Sequence, residues 1–277
     1  MKTLVSIITV SLNAATTIRD TLDSVRRQTA PFEIEHICVD GGSTDGTREI
    51  LTEAAKLNRK LVLLFEPDRG IFDAMNKGLR LANGHYVLFL NSDDFLIGTS
   101  SVADAFSRID FTHTGPDMVM GDVVMGHLDR FSLWRMRRVP RWLPKFPRTG
   151  VHPPHQGNFI SRALLLRVGG FDADQRLAAD TTQFYRILHE FNPTMIVSRT
   201  IVSFMRMGGA SNLTLTSFGP GNRETYRFLR RYQSPTGTAL TVAVKVSQKL
   251  FECRFGRLNK STFLSSQSSG SEEHRPC

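Results

Sequence analysis

The chain has 277 residues, 40% of them hydrophobic, which supports a sizeable core and argues against a disordered chain. Its 35 Lys and Arg outnumber its 26 Asp and Glu, and the resulting net charge of +9 points to an anionic partner without choosing among phosphorylated ligands, acidic membrane surfaces and nucleic acid. The three cysteines, Cys38, Cys253 and Cys277, make no C-x-x-C pair, which disfavours a zinc ribbon or disulfide framework, and no apolar run reaches the roughly 18 residues of a membrane span.

Lys2 and the apolar run after it resemble a weak signal peptide. No small-residue cleavage site follows, and Asn13, Arg19 and Asp20 come soon after, so residues 5–10 read as a first strand. Ile18, Leu22 and Val25 recur at helical spacing, with Asn13 as the expected start signal. Residues 34–39 read as a second strand and Ile50, Ala54 and Leu57 as a second helix. Residues 61–65 form a third strand, Ile71, Met75, Gly78 and Ala82 a third helix, and residues 86–90 a fourth strand. Repeated strand–helix units predict an α/β fold with a mainly parallel sheet covered by helices on both faces. Ligands of such sheets sit beyond the carboxyl ends of the strands.

The second half is less regular. Residues 118–125 and 156–160 read as strands, 163–168 and 181–190 as helices, and 194–204 as a strand. Residues 134–148 mix Trp, Arg, Lys and Pro, which predicts a basic loop. Residues 223–260 are basic and expected to be helical, although Val242, Val244 and Val246 alternate. Residues 261–277 are Ser-rich and expected to be disordered.

Polar clusters fall where the strands end. Asp40 opens Asp40-Gly41-Gly42-Ser43-Thr44-Asp45-Gly46-Thr47, where small residues let a ligand approach the backbone. Asp40 could accept a hydrogen bond from a nucleobase N–H. A tight turn with Ser43, Thr44 or Asp45 capping the next helix is the alternative. Thr47 stands where a P-loop needs Lys, and G-x-G-x-x-G is absent, which disfavours P-loop and dinucleotide-binding enzymes. Asp93 and Asp94 are adjacent carboxylates at a strand end. They call for a hard divalent counterion, unless they simply form an exposed turn. Asp68, Asp73, Asn76 and Lys77 lie between these clusters and could reach a ribose or diphosphate, or could be a solvated helix face.

Taken in order, S-I-I-T-V-S-L-N, V-D-G-G-S-T-D-G-T, P-D-R-G-I-F-D-A-M-N-K-G and F-L-N-S-D-D resemble the family 2 glycosyltransferases of the GT-A fold. The match is dense over residues 4–96 and looser to 211, through His155-Gln156, Ala179-Asp180 and Met207-Gly208-Gly209. It is most similar to enzymes of bacterial exopolysaccharide and glycolipid assembly, including the colanic acid type. The resemblance implies a catalytic domain over residues 1–211, followed by a basic extension over 212–260 and a tail over 261–277.

The resemblance also implies roles. Thr9 and Asn13 border the nucleotide, and Asp40 holds the base. Asp68, Asn76, Asn91, Ser92 and His155 contact the nucleotide sugar, and Gly208 and Gly209 form a loop over the diphosphate. Asp93 and Asp94 bind Mn²⁺ or Mg²⁺, with Asn91 standing where a carboxylate is usual. Asp180 is the implied catalytic base of an inverting transfer, and a helix cap is its alternative.

The implied partners are a nucleoside-diphosphate sugar, with a UDP-sugar favoured, and a saccharide or lipid-linked acceptor. Nucleic acid is not expected as a partner, and a non-enzymatic nucleic-acid binder, motivated by the +9 charge, is the rival outside enzymes. The Trp- and Arg-rich segment and the basic extension suit peripheral contact with an anionic membrane, or else a solvated basic surface. The expected location is cytoplasmic, at the inner face of the plasma membrane. A sugar-nucleotide nucleotidyltransferase is the enzymatic rival, but residues 11–15 lack the Gly-rich basic loop it needs.

Overall fold

A computed structural model of the chain describes residues 3–109, 115–127, 134–141, 143–144, 152–175, 178–207, 215–255 and 257–258. Three strand–helix units come first: β1 (Thr3–Ser11) and α1 (Ile18–Arg26), β2 (Glu33–Asp40) and α2 (Thr47–Leu57), β3 (Leu61–Phe65) and α3 (Ile71–Leu81). Then follow β4 (Tyr86–Phe89), the short β5 (Phe95–Leu96) and α4 (Ser101–Phe106). The second half runs β6 (Met118–Gly126), β7 (Trp134–Arg137), a 3₁₀ turn at His155–Gly157, β8 (Asn158–Ser161), α5 (Arg162–Arg167), α6 (Ala179–Glu190) and β9 (Met195–Arg206). Helices α7 (Leu215–Leu229) and α8 (Pro235–Phe255) and the short β10 (Arg257–Leu258) close the described chain.

The sheet order is β10-β7-β6-β8-β4-β1-β2-β3, with β9 beside β6 and β5. Strands β3, β2, β1 and β4 are parallel, as repeated strand–helix units require. Strand β8 is antiparallel to both β4 and β6, so the second half turns a parallel sheet into a mixed one. The period-2 pattern of the central strands fills both faces. On one side Ile8, Val10, Ile37, Val39, Val87 and Phe89 join the core beneath α3 and α6. On the other, Val5, Ile7, Tyr86 and Leu88 pack with Val102 and Phe106 of α4.

Two local expectations change. The basic segment expected as a loop begins with a strand, because residues 135–137 pair with Val123–Met125 of β6; residue 142 and residues 145–150 lie outside the described residues. Asn13 does not start α1, which begins five residues later at Ile18; Asn13 instead adopts a left-handed φ of 53°. The alternating valines near 244 lie in a helix, α8. Helix α7 is joined to the main core, where Phe228 and Leu229 are buried. Residues 261–277, expected as a disordered tail, lie outside the described residues. No helix among the described residues is long and apolar enough to cross a membrane.

Candidate active site

The ends of β1 and β2 are clipped together by their own loops. The Asn13 N–H donates to Ser43 Oγ at 2.7 Å, and Asn13 Oδ1 accepts from the Thr44 N–H at 2.9 Å. Two further clips run from the Ala14 N–H to Thr47 Oγ1 (2.8 Å) and from the Ala15 N–H to Asp45 Oδ2 (3.0 Å). Asp40 is fully buried below them. Its carboxylate accepts from the Gly42 and Ser43 N–H groups and from the Ser11 and Ser43 hydroxyls, at 2.5–3.1 Å. Four donors fill a carboxylate's acceptor capacity. A base N–H reaches Asp40 only by replacing one of the two hydroxyls. Asp68 lies against Gly41, where an added Cβ would meet its Oδ2 at 2.1 Å and push that carboxylate aside.

Two expected nucleotide contacts are corrected. Thr9 is fully buried in β1 and its hydroxyl pairs with His36 Nε2 at 2.9 Å, so it is a core residue and does not border a ligand. Burial pushes His36 down to about 3, which keeps that pair neutral. Asn76 spends its amide on Phe171, donating to its carbonyl and accepting from its N–H, both at 2.8 Å. It anchors the turn at Gly169–Gly170, where Gly170 has φ of +70° and no room for a Cβ beside Asn76. Lys77 is likewise turned inward, onto the Pro67 carbonyl (2.6 Å) and Glu66 (2.7 Å), and braces the loop that carries Asp68.

The carboxylates at the end of β4 divide their duties. Asp94 is 1% exposed, accepting from the Arg206 N–H (3.0 Å) at one oxygen and from Gln156 Nε2 (3.1 Å) at the other. It ties β4 to β9 and to the 3₁₀ turn. Each oxygen has one inward bond, so a metal at Asp94 would have to share an oxygen with Gln156 or the Arg206 backbone. Burial and the neighbouring Asp93 charge push it up to about 8. Asp93 is half-buried; burial raises its pKa too, and the Arg206 and His155 charges pull it back. Asn91 Oδ1 is buried and has no hydrogen-bond partner among the described residues. Ser92 is half-buried, with its carbonyl taken by the Thr21 hydroxyl at 3.1 Å.

Asp180 lies in the first turn of α6, one residue inside the helix, and its Oδ1 accepts only from its own neighbour Thr181 (2.6 Å). The cap position is Ala178. His155 Nδ1 stands 3.7 Å from Asp180 Oδ2, while His155 Nε2 is buried without a partner among the described residues. Burial alone would raise the Asp180 carboxyl, but His155, His152 and Lys245 outweigh it and hold it well below the usual range. His152 is buried against Phe184, and burial pushes it down to about 3. The turn at His155–Gly157 therefore bridges two carboxylate centres: His155 faces Asp180 and the next residue, Gln156, binds Asp94. Gly208 and Gly209 lie outside the described residues.

Sequence reasoning misses Arg206 and Glu224, and it counts Lys245 only among the cations of the basic extension. Arg206 binds Asp94 through its backbone, pairs with Asp20 through its side chain and covers the Phe95 ring at 5.8 Å. Lys245 is the one signal that was readable, a lone cation within a Val-rich run.

Comparison with known proteins decides the family. The model of glycosyl transferase family 2 matches residues 6–172. The chain belongs to the family 2 glycosyltransferases. A PGL/p-HBAD biosynthesis glycosyltransferase of Mycobacterium bovis (strain BCG / Pasteur 1173P2) is 34% identical over 211 residues, covering 75% of this chain and 78% of the relative. The putative teichuronic acid biosynthesis glycosyltransferase TuaG of Bacillus subtilis (strain 168) is 48% identical over 94 residues, 34% of this chain and 37% of TuaG. Among solved structures, S. aureus TarS 1-349 in complex with UDP-GlcNAc superposes with a TM-score of 0.63 at 21% identity, over 88% of this chain and 72% of that one. The mannosyltransferase PcManGT of Pyrobaculum calidifontis, in complex with GDP-Man and Mn²⁺, has a TM-score of 0.59 at 19% identity, over 98% and 81%. The glycosyltransferase has the GT-A fold.

A divalent cation can be tested against the side chains that this glycosyltransferase presents. Among the described residues, no three His, Cys, Asp or Glu side chains converge on one point. The unpartnered Asn91 Oδ1 and the half-buried Asp93 carboxylate, raised by burial, are nonetheless hard oxygen donors. They fit a cation that takes its remaining ligands from a diphosphate. A cavity of about 550 Å³ opens on another flank, walled by Arg69, Phe171, Arg186, Arg231 and Tyr232, and Asp93, Asp94 and Asp180 do not line it.

Proposed function

We propose that this glycosyltransferase moves a sugar from a nucleoside-diphosphate sugar, UDP-linked by preference, to a hydroxyl of a saccharide or lipid-linked acceptor, with inversion at the anomeric carbon. The observation that carries the reading is the 3₁₀ turn between the two carboxylate centres: it spans from Asp180 through His155 to Asp94 through Gln156. A displacement needs a leaving-group side and a nucleophile side facing one carbon, and this turn joins groups suited to each.

On the donor side, the clipped loops after β1 and β2 hold the nucleoside. The base N–H displaces a hydroxyl donor from Asp40, Asp68 faces the nucleoside across Gly41, and Asn13 and Ser92 border the ribose and diphosphate. Asn91 and Asp93 would hold Mn²⁺ or Mg²⁺, whose charge offsets that of the departing diphosphate. On the acceptor side, Asp180 takes the proton of the attacking hydroxyl. Its low pKa keeps it ionised at neutral pH, and His155 fixes its direction. The attacking oxygen forms its bond as the anomeric C–O bond to the diphosphate breaks. His155 Nε2 is left to donate to donor or acceptor.

The exposed Arg223 and Arg227 on α7 and Arg230 just after it suit an anionic membrane surface, and the enzyme would then work at the cytoplasmic face, where nucleotide sugars are. Nucleic acid is not its partner. The test is a screen of nucleotide sugars for Mn²⁺- or Mg²⁺-dependent release of UDP, GDP or dTDP, with and without membrane lipid extract. Release of one nucleoside diphosphate, increased by the extract, is expected. No binding and no turnover with any donor would overturn the proposal.

A further inference from the structure

The start of α6 carries Asp180 but lacks a cap of its own, since Ala178 stands at the cap position and has no side-chain acceptor. The missing acceptor comes from α7. Glu224 Oε2 accepts the Ala178 N–H at 3.1 Å, as the acidic residue of a capping box does within one helix. Its negative charge also lies at the positive end of the α6 dipole.

The neighbouring residue on α7, Thr225, is fully buried and accepts from Lys245 Nζ of α8 at 2.9 Å. Lys245 is 8% exposed, and its charge acts on both Asp180 and His152. An ammonium group this buried is costly unless anions compensate it. The two helices are themselves held against the catalytic domain. Phe228 and Leu229 join the main core, Val242 packs on it, and Val244 packs on Met120, Val139 and Leu143.

We infer that α7 and α8 form part of the acceptor-side site, with Glu224 and Lys245 as positioning residues for Asp180: Glu224 fixes the turn that carries it and Lys245 supplies a buried countercharge. The inference rests on Asp180 being the base. It gives the C-terminal helices a task at the transfer centre that the motif-bearing half does not contain. The titratable groups around Asp180 are His155 on the 3₁₀ turn, His152 before it, Lys245 on α8 and Glu224 on α7, with Arg137 of β7 acting on His152.

The experiment measures transfer kinetics against pH, together with donor affinity and thermal unfolding, for the full chain and for Lys245→Met, Lys245→Arg, Glu224→Ala and Glu224→Gln. Lys245→Met is expected to lower kcat about tenfold or more while donor affinity holds, and to move the acid limb of the kcat profile to higher pH. Lys245→Arg should restore much of kcat and return the limb. Glu224→Ala should lower kcat, and Glu224→Gln, which keeps an acceptor oxygen, should not. Unchanged kcat and acid limb in Lys245→Met would overturn the inference. If that variant does not fold, equal kcat in Glu224→Ala and the wild type would do the same. Failure of the functional reading looks different: the wild type itself would turn over no nucleotide sugar, or Asp180→Asn would transfer at the wild-type rate.

Discussion

The two ends of the proposed site, donor and acceptor, are built in different ways. At the donor end, Asn13, Asp40, Ser43, Asp45 and Thr47 lie within two neighbouring loops and satisfy one another through short, local hydrogen bonds. At the acceptor end, Asp180, His155, Glu224 and Lys245 come from four separate elements and meet only through the tertiary fold. A site of the first kind writes a compact motif into the sequence, whereas a site of the second kind leaves isolated polar residues among apolar ones. The donor loops should therefore hold substrate after the acceptor end is damaged, and each end can be disabled without the other.

The largest separation is expected from Asp93→Ala. It should weaken metal-dependent nucleoside-diphosphate binding about a hundredfold and leave metal-free binding unchanged, as read by calorimetric titration with and without chelator. Equal binding of the two proteins in Mn²⁺ would remove Asp93 from the metal site. Next comes Asp40→Ala. Four donors lose a buried charged acceptor, and a loss of about 3 kcal/mol in denaturant unfolding is expected, together with weaker nucleotide binding. A stable variant with normal binding would mean that the loop holds itself without its carboxylate.

A smaller effect tests the inward role of Asp94. Its folded pKa, about 8, lies above the ordinary 3.8 because of burial and the Asp93 charge, so the folded chain binds that proton more tightly. The stability from this group is full below about 4, declines as pH rises and is gone above about 8. His36 and His152 run the other way: burial lowers both to about 3, so their contribution is present above about 6.5 and is lost as pH falls. Asp94→Asn removes only the first dependence. In chelator, its Tm relative to the wild type should climb between pH 5 and pH 8, and a constant difference would contradict the assignment. The smallest effect belongs to Asn76→Ala. Two Phe171 backbone groups lose their partners, at a cost of about 1–2 kcal/mol, while donor affinity stays as it was. A fall in affinity without a fall in stability would restore Asn76 to the ligand.

The same contrast explains what could be read from the sequence. The strand–helix alternation and the strand-end clusters are periodic and local, so the parallel half of the sheet and Asp40, Asn91, Asp93 and Asp180 stood out. The strand–helix pattern does not extend to the antiparallel half, where β7 starts a segment that its prolines and arginines mark as loop. Direction of a side chain is the other thing that spacing leaves open. Asp93 and Asp94 are adjacent and chemically alike, yet Asp94 is buried on Gln156 and the Arg206 backbone while Asp93 is only half-buried. Thr9 and Asn76 sit within recognisable motifs, yet their hydrogen bonds go to His36 and Phe171. Glu224 and Lys245 belong to no motif, because the Ala178 N–H that Glu224 binds lies 46 residues away along the chain and the Thr225 hydroxyl that Lys245 binds lies 20 residues away, on another helix.

The account stands on the division between holding the donor and activating the acceptor, and Asp180→Asn addresses that division. Donor affinity in Mn²⁺ and rate of sugar transfer should be measured on the same preparations of wild type and variant. The variant is expected to bind the nucleotide sugar as the wild type does and to transfer it about 10²–10⁴-fold more slowly. Transfer at the wild-type rate by Asp180→Asn would contradict the account.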